Sequence, residues 1–492
     1  MWLPLLEPLT IDNIPQPHPR PMSEGLDKLF RPSSVAVIGA SANPSKMSHI
    51  ALRNLSSGKF TLHPVNPHEK EILGRRCFAS ILDVPDDVDM ALVSLPAAAS
   101  IGPVRECVEK KVGVVIVTAS GFKESGTDGA ALEKELLNAI SGSATRLLGP
   151  NTMGIFVPDH GLDTFFIPRE RSPRPGPGGV AMISQSGAVS ISFLEKAAAS
   201  GMGVSSCVGL GNKADINEDE ILGYLVGDSA TRSIAMYLES FSDGKEFSRV
   251  AKEVTAKKPV VVLKSGRTRS GSLAATSHTG ALASSSDSMV ESVFRQVGVT
   301  RAYDEEELAD CARALAHVGH LDGDRICVIA SAGGFGVIGA DMVESVDHGA
   351  GMRMAEFSPR TVESLRKIIP GYSSVSNPVD LTAGVTDAMY DEVLEVLQRD
   401  PGIDGIMMSL ELQPPGVTDA LMDVAGKRAK SPRVPIVVSA FGGERTAEML
   451  TSFEKNGVLA YPTIWRSIRA LRVLAERGRY LKRTKTFSED TR

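Results

Sequence analysis

Short, continuously apolar runs rich in β-branched residues recur along this chain, and amphipathic stretches of helical length separate them. SVAVIGA (34–40), MALVSLP (90–96) and VGVVIVTAS (112–120) are the first of these runs. A strand that is apolar on both faces is buried on both faces, which is the condition of a parallel sheet covered by helices on either side. AASIGPVRECVEKK (98–111) and GAALEKELLNAI (129–140) supply covering helices, so the segment reads as a doubly wound α/β sheet. A second set follows in GVAMISQSG, SIAMYLES and KPVVVLKSG. A third begins near Asp324 with RICVIASAGGFG, continues through GIDGIMMSLE and VPIVVSAFGG, and ends in a helical segment from Thr463 to Leu481. Each set opens with a strand, a turn and a helix, at Gly39, Ser184 and Gly333, which predicts three related modules in series. The Pro/Gly-rich stretch SPRPGPGG (172–179) interrupts the pattern and is expected to mark a domain boundary or an exposed linker.

A chain of 492 residues is also too long for one ordinary core and suits about three domains. With a net charge of -6 it has no global basic field, so neither nucleic acid nor an anionic membrane is an expected partner. Its 5 cysteines, Cys77, Cys107, Cys207, Cys311 and Cys327, are scattered without a CxxC spacing. That argues against a disulfide framework or a metal site and for a reducing cytoplasm. No apolar run reaches the ~20 residues of a membrane span. The proline-rich leader, residues 1–23, reads as a flexible arm or a docking strap.

The turns after the strands carry the chemistry. SVAVIG runs into ASANPSKMSHIALRNL, and a helix opening after such a turn offers unpaired N–H groups and its positive dipole end to an anion such as a phosphate. Only Gly39 is glycine there, so this is no dinucleotide fingerprint, and a turn needed only for packing is an equal reading. HPVNP (63–67), SLP (94–96), ASGFKESG (119–126) and GPNTMG (149–154) also fall where strands should end. Ligands of open parallel sheets bind outside those ends, so the loops should converge on one crevice that suits a long, adenine-bearing phosphate ligand. In the second module Ser184, Gln185, Ser186 and Gly187 stand at the turn before a helix opening at about Ala188. They can cradle a phosphoryl group, and Ser184 or Ser186 can equally serve as an N-cap.

His278 lies in KSGRTRSGSLAATSHTGALASSSDSMV, a glycine-, serine- and alanine-rich run expected to form a loop that moves. A neutral imidazole is a competent nucleophile toward phosphorus and, once phosphorylated, a good donor. Lys264, Arg267 and Arg269 lie upstream to offset developing negative charge. Such an imidazole needs an orienting carboxylate. Glu239, at the end of SIAMYLES, and Asp215, in GLGNKADIN, are the candidates, with Glu239 preferred for its place at a strand's end. Glu239 also reads as a helix N-cap partner for SDGKEF.

In this order, RPSSVAVIGAS, VNP, GPNTMG, ISQSGA, GLGNKADIN, SHTGALA and SNPVDLT resemble the α-subunit motifs of the ADP-forming acetyl-CoA and acyl-CoA synthetases, in the succinyl-CoA synthetase superfamily. The resemblance covers roughly residues 24 to 480. It implies a Rossmann-like CoA-binding domain over 24–156, a ligase domain over 157–318 and a C-terminal flavodoxin-like domain over 319–492. It implies a reversible relay in which acyl phosphate forms, its phosphoryl group moves to His278, braced by Glu239, and ADP finally receives it. Gly39, Ser41, Asn43, Ser45, Lys46, Asn66 and Pro67 would line the CoA site, with Ser94, Pro96, Ser120 and Asn151 nearby. Ser184, Gln185, Ser186 and Gly187 would seat the phosphate. ATP or ADP and Mg2+ would sit on an ATP-grasp β subunit, in an αβ or α2β2 assembly, and this chain would be inactive alone. The substrate would be a small carboxylic acid. A catalytically silent CoA-binding regulator or scaffold, and an acyl or carbamoyl transferase on the same fold, are the rival readings.

Overall fold

The computed structural model describes residues 25–279, 286–346, 350–430 and 433–489, with side chains for all of these except 275–279 and 485–489. The first sheet comprises β1 (Ser34–Ile38), β2 (Thr61–Val65), β5 (Met90–Val93), β6 (Val114–Val117) and β7 (Arg146–Leu148), and a small hairpin, β3 (Glu71–Ile72) with β4 (Arg75–Arg76), lies apart from it. Its order is β2-β1-β5-β6-β7, all parallel. The second sheet adds the antiparallel edge strands β8 (Ile155–Val157) and β9 (Leu162–Asp163) to β10 (Pro177–Ser184), β11 (Val204–Gly209), β12 (Ser233–Leu238), β13 (Val260–Lys264) and β14 (Thr300–Ala302). Its order is β14-β13-β12-β10-β11-β8-β9. The third contains β15 (Arg325–Ala330), β16 (Arg353–Met354), β17 (Val379–Asp380), β18 (Gly405–Leu410), β19 (Ile436–Ala440) and β20 (Leu459–Tyr461). It runs β16-β15-β18-β19-β20, with β17 also on β15. Apart from the added edge strands, the first two sheets place their first parallel strand between the second and the third, and in the third sheet β15 likewise lies inside, with β16 and β17 on one side and β18 on the other. That arrangement opens a crevice where the strand order reverses.

Burial explains the apolar runs: β1, β5, β6, β13 and β18 are buried at every residue. Asn377 of the SNPVDLT motif has a structural task. Its side chain accepts from Val328 N–H (2.9 Å) and donates to the Ile326 (2.8 Å) and Ala355 (3.0 Å) carbonyls. It thereby fills the edge of β15 between β16 and β17, where ladder bonds would otherwise be missing.

The modules share their cores. Val35, Val37 and Leu92 of the first module join Ile183, Ile234 and Phe247 of the second. Met182 and Leu194 of the second module join Val328, Tyr461 and Leu471 of the third. Between these two lies the helix Glu305–Val318, buried from Leu308 to Ala316, charged Asp310 and Arg313 included. Asp310 there accepts from Arg466 (2.7 and 2.8 Å) and Arg469 (3.1 Å), and Arg313 pairs with Glu454 at 3.0 Å. Buried charges persist only when paired in this way. SPRPGPGG is not an exposed linker: Ser172 is buried, Arg174 packs over the Phe165 ring and pairs with Asp163 (3.3 Å), and Pro177 already begins β10. Among the described residues no helix is long and apolar enough to cross a membrane, and no His, Cys, Asp and Glu cluster could hold a metal. All five cysteines are buried and unbridged.

Candidate active site

The loops at the carboxyl ends of the first sheet are laced to one another. Gly39, at φ +82°, follows β1, and a Cβ built there would lie 2.7 Å from both the Ser94 carbonyl oxygen and Leu95 Cδ2, so only glycine lets these turns touch. Asn66 donates to the Ala40 carbonyl (2.7 Å), the Ser94 amide to Ile38 (3.0 Å) and the Asn151 amide to Ala119 (2.8 Å). Gly39, Ser41, Asn66 and Ser94 thus lie partly buried where the loops meet, with Asn43, Ser45, Lys46, Pro67, Pro96, Ser120 and Asn151 exposed on the rim. The helix Met47–Leu55 opens into this crevice after Lys46 with no side-chain cap, which leaves first-turn amides for an anion.

GPNTMG and GLGNKADIN interlock the first two modules. Thr152 donates to the Gly209 carbonyl (2.6 Å), and a Cβ on Gly211 (φ +57°) would run into the Pro150 carbonyl oxygen. Asn212 donates to Glu124 (2.6 Å) and Glu133 (2.8 Å) and accepts from Asn151 (3.4 Å). Burial raises the Glu124 pKa, but hydrogen bonds from Asn212 and the Gly121 and Phe122 amides outweigh it and hold the carboxyl below its ordinary range. Asp215 is bound by Arg146, which reaches it at 2.9 and 3.0 Å.

Just beyond this seam β10 ends. A Cβ on Gly187 would come within 2.7 Å of Met153 Cγ, which brings the GPNTMG loop against the helix Gly187–Ala199. The cradle expected from hydroxyls differs in detail. Ser184 is fully buried and donates to the Ser186 carbonyl (2.8 Å), and Ser186 caps the Val189 amide (3.4 Å). The Gly187 and Ala188 amides, first-turn donors of that helix, have no acceptor among the described residues. Gln185 turns to β12 instead: its Oε1 accepts the Glu239 (2.7 Å) and Ser240 (2.9 Å) amides.

Glu239 begins a turn held on all sides. It is buried and accepts from the Tyr237 hydroxyl (3.3 Å). The ammonium of Lys264, itself buried at the end of β13, donates to the Glu239 carbonyl (2.7 Å). Burial lowers the Lys264 pKa, opposed by the Glu239 carboxylate. Lys213 and Glu218, which sequence reasoning passed over, hold the far side of the turn. Lys213 donates to the Ser240 carbonyl (2.9 Å) and pairs with Glu218 (3.0 Å), and Glu218 accepts from the Ser242 amide (2.6 Å) and hydroxyl (2.9 Å). A lysine inside a glycine- and asparagine-rich turn, two residues before Asp215, was the available signal.

The segment expected to be a mobile loop is helical from Arg269 to Thr279. Thr268 starts the helix by accepting from the Gly271 amide (3.0 Å), and Leu273 and Ala274 favour its continuation. His278 falls on its last turn; the imidazole and residues 280–285, which include the end of SHTGALA, lie outside the described residues. The helix packs against the Lys123–Ser125 turn of the first module. Arg267 stacks on Tyr303 (4.6 Å) and lies 3.7 Å from Asp287, while Arg269 is exposed.

Residues 33–158 match the CoA binding domain, residues 177–315 the succinyl-CoA ligase like flavodoxin domain and residues 326–486 the ligase-CoA domain. The α subunit of acetate–CoA ligase [ADP-forming] I of Pyrococcus furiosus is 35% identical over 91% of this chain and 97% of its own length. The chain belongs to the α-subunit family of the ADP-forming acyl-CoA synthetases. Other members of this synthetase family are longer: this chain covers 93% of itself but 64% of the length of acetate–CoA ligase [ADP-forming] I of Archaeoglobus fulgidus, at 35% identity. The solved dinucleotide-forming acetyl-coenzyme A synthetase 1 of Ca. Korarchaeum cryptofilum, in complex with phosphate and ADP, superposes with a TM-score of 0.86 at 32% identity, over 93% of this chain and 98% of that one. The three-module α/β architecture is therefore the synthetase fold.

Proposed function

We propose that this chain is the CoA-binding, phosphohistidine-carrying part of an ADP-forming acyl-CoA synthetase, with His278 as the phosphoryl carrier. Support comes chiefly from one juxtaposition: the helix that carries His278 on its last turn packs on a turn of the first module, beside the seam where the first crevice adjoins the free amides of Gly187 and Ala188. The modules divide as 24–156, 157–318 and 319–492, after an arm over 1–23.

In the acyl-CoA-consuming direction, phosphate attacks the thioester carbonyl and CoA leaves as its thiolate. A nitrogen of His278 then attacks phosphorus as the P–O bond breaks and the carboxylate departs. ADP finally takes the phosphoryl group, and every step reverses for synthesis. The phosphate and CoA are substrates here. Gly39, Ser41, Asn43, Ser45, Lys46, Asn66 and Pro67 would hold the CoA, with Ser94, Pro96, Ser120 and Asn151 on the rim; the uncapped helix after Lys46 fits its phosphates. The Gly187 and Ala188 amides would receive the transferred phosphoryl group, while Ser184, Ser186 and Gln185 shape the turn that presents them. Glu239 would brace His278. ADP and Mg2+ belong to an ATP-grasp β subunit, in the cytoplasm, and the acyl group is that of a small carboxylic acid.

The test is labelling of the full chain, mixed with an ATP-grasp partner subunit, by acetyl-CoA with radioactive phosphate. An acid-labile label that His278→Ala abolishes supports the reading. A label that survives this substitution, or no label at all, overturns it and favours a silent CoA-binding protein or another acyl transferase.

A further inference from the structure

We infer that Lys213 and Glu218 form a buried pair whose task is to position the Glu239 turn for the phosphoryl relay; the inference rests on the function proposed above. Lys213 sits at φ +56°, a backbone region that costs a non-glycine side chain, and its ammonium is nonetheless buried. Glu218 is fully buried. Taking two charges out of water is unfavourable unless both are paired and their remaining bonds satisfied.

What they satisfy is a backbone. The Ser240 carbonyl receives Lys213, and the Ser242 amide and hydroxyl are received by Glu218. Gln185 takes the Glu239 and Ser240 amides, and Lys264 donates to the Glu239 carbonyl. A chain leaving a strand is thus held by side chains from separate segments, with few bonds of its own. Simple packing would not require charged groups there, because an apolar contact stabilises a turn without the desolvation cost. Charged hydrogen bonds fix direction, which a group bracing an imidazole needs to a fraction of an ångström. Lys213 and Glu218 touch no reacting atom in this account and act through Glu239.

The full chain would be compared with Lys213→Met, Glu218→Gln, the double variant and the milder Ser242→Ala. Hydrogen exchange followed by mass spectrometry reads the segment 239–243, and labelling by acetyl-CoA and radioactive phosphate reads the relay. In both single charge variants, exchange in 239–243 is expected to quicken about tenfold while that of β12 holds. Labelling is expected to slow about tenfold or more, with half-saturating phosphate unchanged, and the double variant should be no worse than either single one. Ser242→Ala, which leaves the charges paired, should show the same pattern more weakly. Unchanged exchange in the segment overturns the inference, and so does quickened exchange with wild-type labelling. If the wild-type chain takes no label, the proposed function falls, and the exchange data alone decide whether the pair holds the turn.

Discussion

Gln185 follows β10 as Ser331 follows β15, and the register carries the likeness across both sheets. Ser184 lies beside Tyr237 and Ala330 beside Ser409, so Glu239 after β12 answers to Glu411 after β18. The Glu239 amide is accepted by Gln185 (2.7 Å) and the Glu411 amide by Ser331 (2.9 Å). One strand further out the likeness ends: Leu238 pairs with Lys264, but Leu410 pairs with Ala440. The helix openings differ as well. Gly187 and Ala188 keep amides open to an incoming anion, whereas Asp380 Oδ2 would lie 3.0 Å from a Cβ on Gly333 and so puts the third module's own carboxylate at that helix N-terminus. The same backbone plan therefore leaves first-turn amides open in the second module and meets a carboxylate of its own in the third.

The largest expected effect comes from erasing that difference. Lys264→Ala copies the third module's side chain into the second and should slow phosphoenzyme labelling by about 10²-fold or more, with the fold retained by circular dichroism. Wild-type labelling would show that the lysine contrast has no functional weight. Asp219, beside Glu218, sharpens the comparison through pH. Burial, then the charges of Glu218 and Glu246, push its pKa up to about 8. An unfolded aspartate titrates near ~3.9, so the folded state holds an extra proton between those values. Stability should fall as pH rises through that window, and the contribution is lost above it. Asp219→Asn should flatten this slope and raise denaturation free energy at pH 9 by about 2–3 kcal/mol. A slope equal to the wild type's in urea titrations would refute the assignment.

Gly211→Ala, at the seam the third module lacks, should cost about 2 kcal/mol by thermal unfolding, because the added methyl meets a carbonyl and not a yielding side chain. A loss under about 0.5 kcal/mol would mean that the seam yields. The smallest effect is expected at Asp380→Asn. Removing a carboxylate from a helix N-terminus should cost about 0.5 kcal/mol, less at high salt, and leave labelling unchanged. A labelling defect there would join the third module to the chemistry.

Much of this contrast was legible before the structure. Glycine and serine turns at Gly39, Ser184 and Gly333 announced three similar openings, and Glu239 stands directly after a strand, as its segment predicted. One motif has a second task that its residues did not announce. GPNTMG, expected among the crevice loops, also locks two modules together through Thr152, with Gly211 and Asn212 of GLGNKADIN on the other side of the seam. The His278 segment read as a loop because glycine and serine dominate it, while Leu273, Ala274 and the Thr268 cap carry it as helix to Thr279.

Local patterning alone determined the element order and the strand ends, because apolar periodicity and turn chemistry act between near neighbours in sequence. Tertiary structure decided which charge meets which. Arg146 takes Asp215 across 69 residues, and Glu218 holds Ser242 across 24. Such pairings depend on distance and burial in the folded chain, and the linear order of residues carries neither.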